Sequence, residues 1–303
     1  MIKRHRLWLA FFCLLLINHA VAASTLTYQE TRIPLAGTNG LAALLVWPDD
    51  GKPHPLALIN HGSPRDAAAR KKMSAIAGLP IALEFARRGF AVAYVLRRGY
   101  GNSGGNWAED KGRCNAPDYL HSAAAATADL NAIIKYLGTQ PQFNTHQILA
   151  VGVSAGGFST VALTANPPPG LIAAISFAGG RGSKANDVIC TPERLIEAFR
   201  VFGKTSRTPM LWIYAENDHF FNPTIARQFY TAFTQSGGNA TLLMAPPYGE
   251  EGHFLFSTAG IPIWTPLVDD FLKTHHFVLV DHLLPLSVAP KRVPPPSTTA
   301  NQQ

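Results

Sequence analysis

The chain has 303 residues, 47% hydrophobic and 15% charged, with a formal net charge of +7. That balance excludes a disordered or fibrous chain. It suits one large α/β domain, because such folds run to about 250 residues undivided. The positive charge is thinly spread; "RKK" at 70–72 is the longest basic run and reads as a solvated helix face, so no nucleic-acid partner is expected.

The N-terminus reads as a secretory signal peptide over residues 1–23. "MIKRHR" is a basic n-region, "LWLAFFCLLLI" an apolar h-region, and "NHAVAAS" supplies small residues for cleavage after Ala22 or Ala23. The apolar run is shorter than the about 20 residues a membrane span needs, so no stable insertion is expected after cleavage. The chain is therefore expected to be exported, either periplasmic or secreted. Cleavage removes Lys3, Arg4 and Arg6, leaving a net charge of +4, and takes Cys13 as well. Cys114 and Cys190 remain, in a compartment that permits disulfides. A bond between them closes a loop of about 75 residues and stabilises by roughly 4 kcal/mol in the chain-entropy model. No metal site is suggested by a lone cysteine pair at this spacing.

Residues 24–287 alternate apolar runs with helical patterns. The runs are "LTYQETRIPL", "LAALLVW", "PLALIN", "FAVAYVL", "QILAVGV", "LIAAISFAG", "PMLWIYA" and "ATLLMA". Most are continuous rather than alternating, as strands buried on both faces of a parallel sheet are. Between them stand helices such as "LPIALEFARRG" and "DYLHSAAAATADLNAIIKYLG"; "TPERLIEAFRVFG" offers Thr191 as N-cap and Pro192 at its first position. The predicted architecture is a mostly parallel, eight-stranded, doubly wound sheet. Residues 181–208 are too long for a simple connection and read as a small insertion over the sheet edge, carrying Cys190. The tail, 288–303, is rich in Pro, Ser and Thr with nothing to bury, a disordered composition.

"GVSAGG" at 152–157 follows a buried run and opens a helix. Gly-x-Ser-x-Gly in that setting is a nucleophile elbow: a strained turn lifts Ser154 above the sheet, and Gly152 and Gly156 make room for it. A serine hydroxyl needs a general base, and the base needs an orienting carboxylate. In this architecture the order is serine, acid, histidine. "LWIYAENDHFF" offers Glu216 and Asp218, of which Asp218 lies further past the strand and is preferred. "LLMAPPYGEEGHFLF" offers His253. His219, beside the acid, reads as a decoy. An oxyanion needs two donors. The N–H of Ala155 follows the nucleophile, and the N–H of Ser63 in "INHGSPRD" is the second choice, with His61 bracing that loop.

With these pieces in place the chain resembles the α/β-hydrolases, close to their dienelactone-hydrolase and prolyl-oligopeptidase-like branch. "HGSP", "RRGYGNSGG", "GVSAGG", "END" and "GH" carry the resemblance over roughly residues 55 to 275. It implies an eight-stranded, mostly parallel sheet and a serine mechanism without a cofactor. Position by position, it implies Ser154 as nucleophile, Asp218 as acid and His253 as base. Two departures stand out. Dienelactone hydrolases use a cysteine where Ser154 stands. Oligopeptidases carry an N-terminal propeller, for which the stretch before "PLALIN" leaves no room.

The leading expectation is thus an exported carboxylic-ester hydrolase acting on a small ester or short peptide. The alternative is a serine peptidase or amidase, for which Glu250, Glu251 or Asp187 would hold a substrate amine. A binding protein on a hydrolase scaffold is the third reading, disfavoured by the presence of all three triad residues. Phe220, Phe221, Trp107, Tyr100, Tyr248 and Phe254 sit in loops near the expected site. Oligomeric state is left open.

Overall fold

A computed structural model describes residues 25–275, 277, 280, 283–284 and 291–294. Residues 1–23, read above as a signal peptide, and most of 288–303 lie outside these residues. From the N-terminus, β1 (Leu26–Ile33) and β2 (Leu41–Pro48) pair antiparallel, and β3 (His54–Asn60) runs into the sheet centre. Two helices, α1 (Ala67–Lys71) and α2 (Leu79–Arg87), lead to β4 (Ala91–Val95). Then come α3 (Tyr119–Leu137), β5 (Phe143–Val153), α4 (Ala155–Ala165) and β6 (Leu171–Phe177). A small ribbon, β7 (Ser183–Ala185) and β8 (Val188–Ile189), precedes α5 (Pro192–Gly203). The chain continues through β9 (Met210–Ala215), α6 (Pro223–Gln235), β10 (Ala240–Ala245) and α7 (Ile261–Thr274).

The sheet order is β10-β9-β6-β5-β3-β4-β2-β1, eight strands as expected, and only the pairings of β2 are antiparallel. A ninth, two-residue strand, β11 (Lys291–Arg292), pairs parallel with β1. The disordered reading of 288–303 did not anticipate it. The segment holds no apolar pattern; among the described residues it is met by a backbone ladder, an Arg292–Glu30 pair at 3.0 Å and a Gln29 side chain that donates to the Pro294 carbonyl at 2.9 Å.

Successive residues of the central strands feed two cores. Leu56 and Leu58 of β3 face the layer of α3 to α6, where Phe158, Phe199, Trp212 and Phe229 pack. Ala57 and Ile59 face α2 and α7, against Phe85, Phe90 and Trp264. Burial on both faces is why these strands read as unbroken apolar runs. The same packing corrects the extent of the insertion. Helix α5 belongs to the first layer, with Phe199 stacked on Phe229 at 4.6 Å and against Trp212 at 5.3 Å. Only the β7–β8 ribbon is left to rise beside the site. Thr191 does precede α5, but its hydroxyl donates to the Cys114 carbonyl at 3.0 Å rather than capping the helix. Among the described residues no helix is long and apolar enough to cross a membrane.

Candidate active site

Because β3, β5, β9 and β10 run parallel, the loops after them meet at one edge of the sheet. Those loops carry His61 to Ser63, Ser154, Asp218 and His253. Ser154 stands between β5 and α4 with φ +57°, a region that costs a non-glycine residue about 1–3 kcal/mol. The flanking glycines are required sterically. A Cβ on Gly152 would stand 2.3 Å from the Gly156 carbonyl oxygen, and one on Gly156 2.1 Å from the Asn60 carbonyl oxygen.

Asp218 is fully buried. Its Oδ1 accepts from the N–H groups of Phe220 (2.7 Å) and Phe221 (2.9 Å), which leaves Oδ2 facing His253 Nδ1 at 3.1 Å. Glu216 has no contact with His253; it is exposed, and its N–H bonds the Ala245 carbonyl. The acid and histidine loops are zipped together by residues that sequence reasoning did not place. Asn217 accepts from the Tyr248 N–H at 2.8 Å and donates to the Gly249 carbonyl at 3.0 Å. Glu251 Oε1 accepts from the N–H groups of His219 (2.9 Å) and His253 (3.1 Å).

Phe220 lies flat on the His253 imidazole, 4.0 Å between centroids and 6° between planes. The Arg65 guanidinium covers the ring at 3.6 Å, which must be the opposite face because two flat groups cannot share one. His253 is thus fixed in plane by Asp218 and in tilt by its stack on Phe220, itself held between the imidazole and the Arg65 guanidinium. His219 turns outward to pair with Asp187 at 2.9 Å.

His61 braces its loop, as the sequence suggested. Its Nε2 accepts from the Arg97 N–H at 3.0 Å, so Nδ1 carries the proton donated to the Gly62 carbonyl at 2.7 Å. Arg97 Nη2 also donates to the His61 carbonyl at 3.0 Å. Beneath lies a buried ionic group absent from the sequence reading: Glu109 bonded to both Arg97 and Arg181, with the Tyr100 hydroxyl donating to it at 3.0 Å. Ser63 and Ala155 line the site, and among the described residues neither N–H meets an acceptor.

Burial, aided by the Arg97 charge, pushes the His61 imidazole down to about 3. Burial would raise the Glu109 carboxyl, but Arg97 and Arg181 outweigh it and hold it at about 2. Both groups therefore take up a proton more readily when unfolded. The His61 contribution is complete above its ordinary value near 6.5 and is lost as pH falls from there toward 3. That of Glu109 is lost between about 4.5 and 2. Urea midpoints are expected to fall from pH 6.5 downward, by about 1.4 kcal/mol per pH unit for one such proton, and more steeply below 4.5. A flat profile between pH 7 and 4 would contradict this arrangement.

Two cavities open on either side of Ser154. One, of about 340 Å³, is walled by Cys114, Cys190, Trp107, Phe221 and the β7–β8 ribbon, and carries basic side chains. The other, of about 530 Å³, holds His253 and is lined by Met73, Val153, Phe254 and Phe256; Phe220 stands between the two. Tyr100 and Tyr248 line neither. Cys114 and Cys190 are bonded, 76 residues apart in sequence, so the bond forms part of the first cavity's wall. Replacing both by serine is expected to cost about 3–4 kcal/mol in urea unfolding and to change kcat/KM. Unaltered kinetics would remove the bond from the site.

A serine forced to positive φ between a central strand and a helix, sharing a cavity with a histidine held by a buried carboxylate, defines an α/β-hydrolase of the serine type. Within that class, the model of the X-Pro dipeptidyl-peptidase (S15) family matches residues 37–197, just over half of the chain. The chain belongs to that family. The matched stretch holds Ser63 and Ser154 and ends before Asp218.

Solved structures share the fold. An acylaminoacyl peptidase in complex with Z-Gly-Gly-Phe-chloromethyl ketone is 18% identical with a TM-score of 0.60, over 86% of this chain and 42% of that one. The Pyrococcus horikoshii acylaminoacyl peptidase is 17% identical, TM-score 0.60, over 82% and 42%. A Pyrococcus furiosus esterase is 16% identical, TM-score 0.55, over 82% and 92%. The chain thus spans less than half the length of the peptidases and nearly all of the esterase. No curated protein matches it in sequence.

Proposed function

We propose that the protein is an exported serine hydrolase that cleaves carboxylic esters through an acyl-enzyme. Ser154 Oγ attacks the carbonyl carbon. His253, donating Nδ1–H to Asp218, takes the serine proton on Nε2 and passes it to the leaving oxygen. The Ala155 and Ser63 amides hold the oxyanion. Water then enters by the same route and frees the acid. The observation that carries this reading is the Asp218–His253 hydrogen bond opening on the cavity that holds Ser154.

Esters are favoured over N-terminal peptides because the two carboxylates lining the cavities are both engaged, one in buried ion pairs and the other, exposed at the rim, in a helix cap. Glu109 is taken by Arg97 and Arg181, and Asp66 caps α1 by accepting from the Ala69 N–H at 2.7 Å. Glu250, Glu251 and Asp187 line neither cavity. A peptidase or amidase remains the second reading, supported by the S15 match.

The test is turnover of p-nitrophenyl esters from acetate to dodecanoate beside alanyl and prolyl p-nitroanilides, with Ser154→Ala as control. Serine-dependent ester hydrolysis with inert anilides, and fluorophosphonate labelling at Ser154, is the expected result. Comparable anilide rates would favour the peptidase. Silence on every substrate without labelling would remove the catalytic reading.

A further inference from the structure

The cavity opposite His253 carries five cationic side chains, Arg65, Arg70, Lys111, Arg181 and Lys184, and one carboxylate, Glu109. That carboxylate is already saturated. It bonds both Arg97 and Arg181, so this buried trio alone bears an excess positive charge. Arg181 is 6% exposed, and its Nε is buried without an acceptor. The other four have no carboxylate partner among the described residues. Arg65 rests on Phe220 and donates to Ser183 Oγ at 2.7 Å; Arg70 rests on the Trp107 ring at 3.8 Å. Lys111 and Lys184 make no ion pair there. Partial burial holds the Lys111 ammonium below its usual range; Asp110 nearby opposes that shift and Arg181 adds to it. A concave site lined by one sign of charge concentrates the opposite ion.

The neighbouring cavity differs. Of those cations it shares only Arg65, and it adds the Asp66 carboxylate at its rim; Met73, Val153, Phe254 and Phe256 make the rest apolar, and it contains His253. The group that His253 protonates as it leaves must lie on the histidine's side of Ser154. The acyl part then extends the other way, among the cations.

Resting on the hydrolase reading, we infer that the substrate is an ester whose acyl group carries a carboxylate or similar anion and whose alcohol is apolar. A half-ester of a dicarboxylic acid meets this description. Attack by Ser154 Oγ breaks the ester C–O bond, His253 supplies the proton to the departing alcohol, and the anionic acyl group stays among Lys111, Arg181 and Lys184 until water releases it as a dicarboxylate.

The test compares three esters on the full-length protein: 4-nitrophenyl hydrogen adipate, its neutral methyl ester, and 4-carboxyphenyl hexanoate, which puts the anion on the leaving group. Lys111→Gln with Lys184→Gln removes two solvent-reaching charges without touching the buried trio. The expected kcat/KM for the adipate half-ester exceeds that of its methyl ester about tenfold at low ionic strength. This preference should fall roughly fivefold in the double variant and shrink with added salt, while the neutral ester changes less than twofold. Carboxyphenyl hexanoate should gain nothing from the two lysines. Hydrolysis of the neutral ester with no preference for the half-ester, or a preference indifferent to both lysines, overturns the inference and leaves the hydrolase standing. If no ester is turned over, calorimetric binding of the half-ester separates the two readings. Binding that the double variant weakens keeps the anion site and removes the ester reading; no binding removes both.

Discussion

Asp218→Asn is expected to lower kcat about 10⁴-fold while leaving the fold intact. The asparagine carbonyl still accepts from the Phe220 and Phe221 N–H groups, so its amide nitrogen must face His253 where Oδ2 now stands 3.1 Å from Nδ1. That nitrogen donates, so Nδ1 becomes the acceptor and the imidazole proton moves to Nε2. An imidazole protonated on Nε2 has no lone pair for the serine proton. Steady-state kinetics gives the size of the loss, and ¹⁵N chemical shifts of the His253 ring identify the tautomer. Urea unfolding should be little changed, since the stacking on Phe220 persists. A loss below tenfold would take the orienting role from Asp218.

The second large effect concerns stability. Glu109→Gln leaves the Arg97 and Arg181 guanidinium groups buried with no counter-charge. Breaking a buried pair in this way costs about 3–5 kcal/mol, because the remaining charges keep their desolvation penalty. For a domain of this size that lowers Tm by about 10 °C. Adding Arg181→Met should recover part of the loss, since one stranded charge goes with it. Activity should fall as well, because Arg97 also holds both the ring and the carbonyl of His61, two residues before Ser63 in the loop that lines the site. A Glu109→Gln protein within 1 kcal/mol of the parent in urea unfolding would mean that charge does not hold this group together.

The elements that could be read from sequence are those whose local pattern and final environment agree. "QILAVGVSAGG" is apolar where it is buried, glycine-bearing where backbones touch and polar at one atom, so strand, elbow and nucleophile candidate all follow. Asp218 and His253 were accessible for the same reason, each the polar break after an apolar run. Glu109 was not. "GGNWAED" has the composition of a solvated loop, and only the path of the chain over Arg97, with Arg181 arriving from beyond β6, makes it a buried anion. Phe220 was seen as an aromatic near the site, but its place against His253 depends on two loops meeting. Helix α5 follows from "TPERLIEAFRVFG"; its place in the first layer rather than in an insertion rests on Phe199 and Phe202, three residues apart on one buried face.

One ladder carries a kinetic consequence. Asn60 pairs with Gly152 across β3 and β5, and this pairing helps to bring the loop of Gly62 and Ser63 to Ser154. The two strands are neighbours in space and far apart along the chain, so their contact must wait for the closing of a long loop. Long-range parallel pairing of this kind forms slowly. During refolding from urea, helical signal should return first. Catalytic competence should reappear later, in step with protection of the β3 and β5 amides from hydrogen exchange.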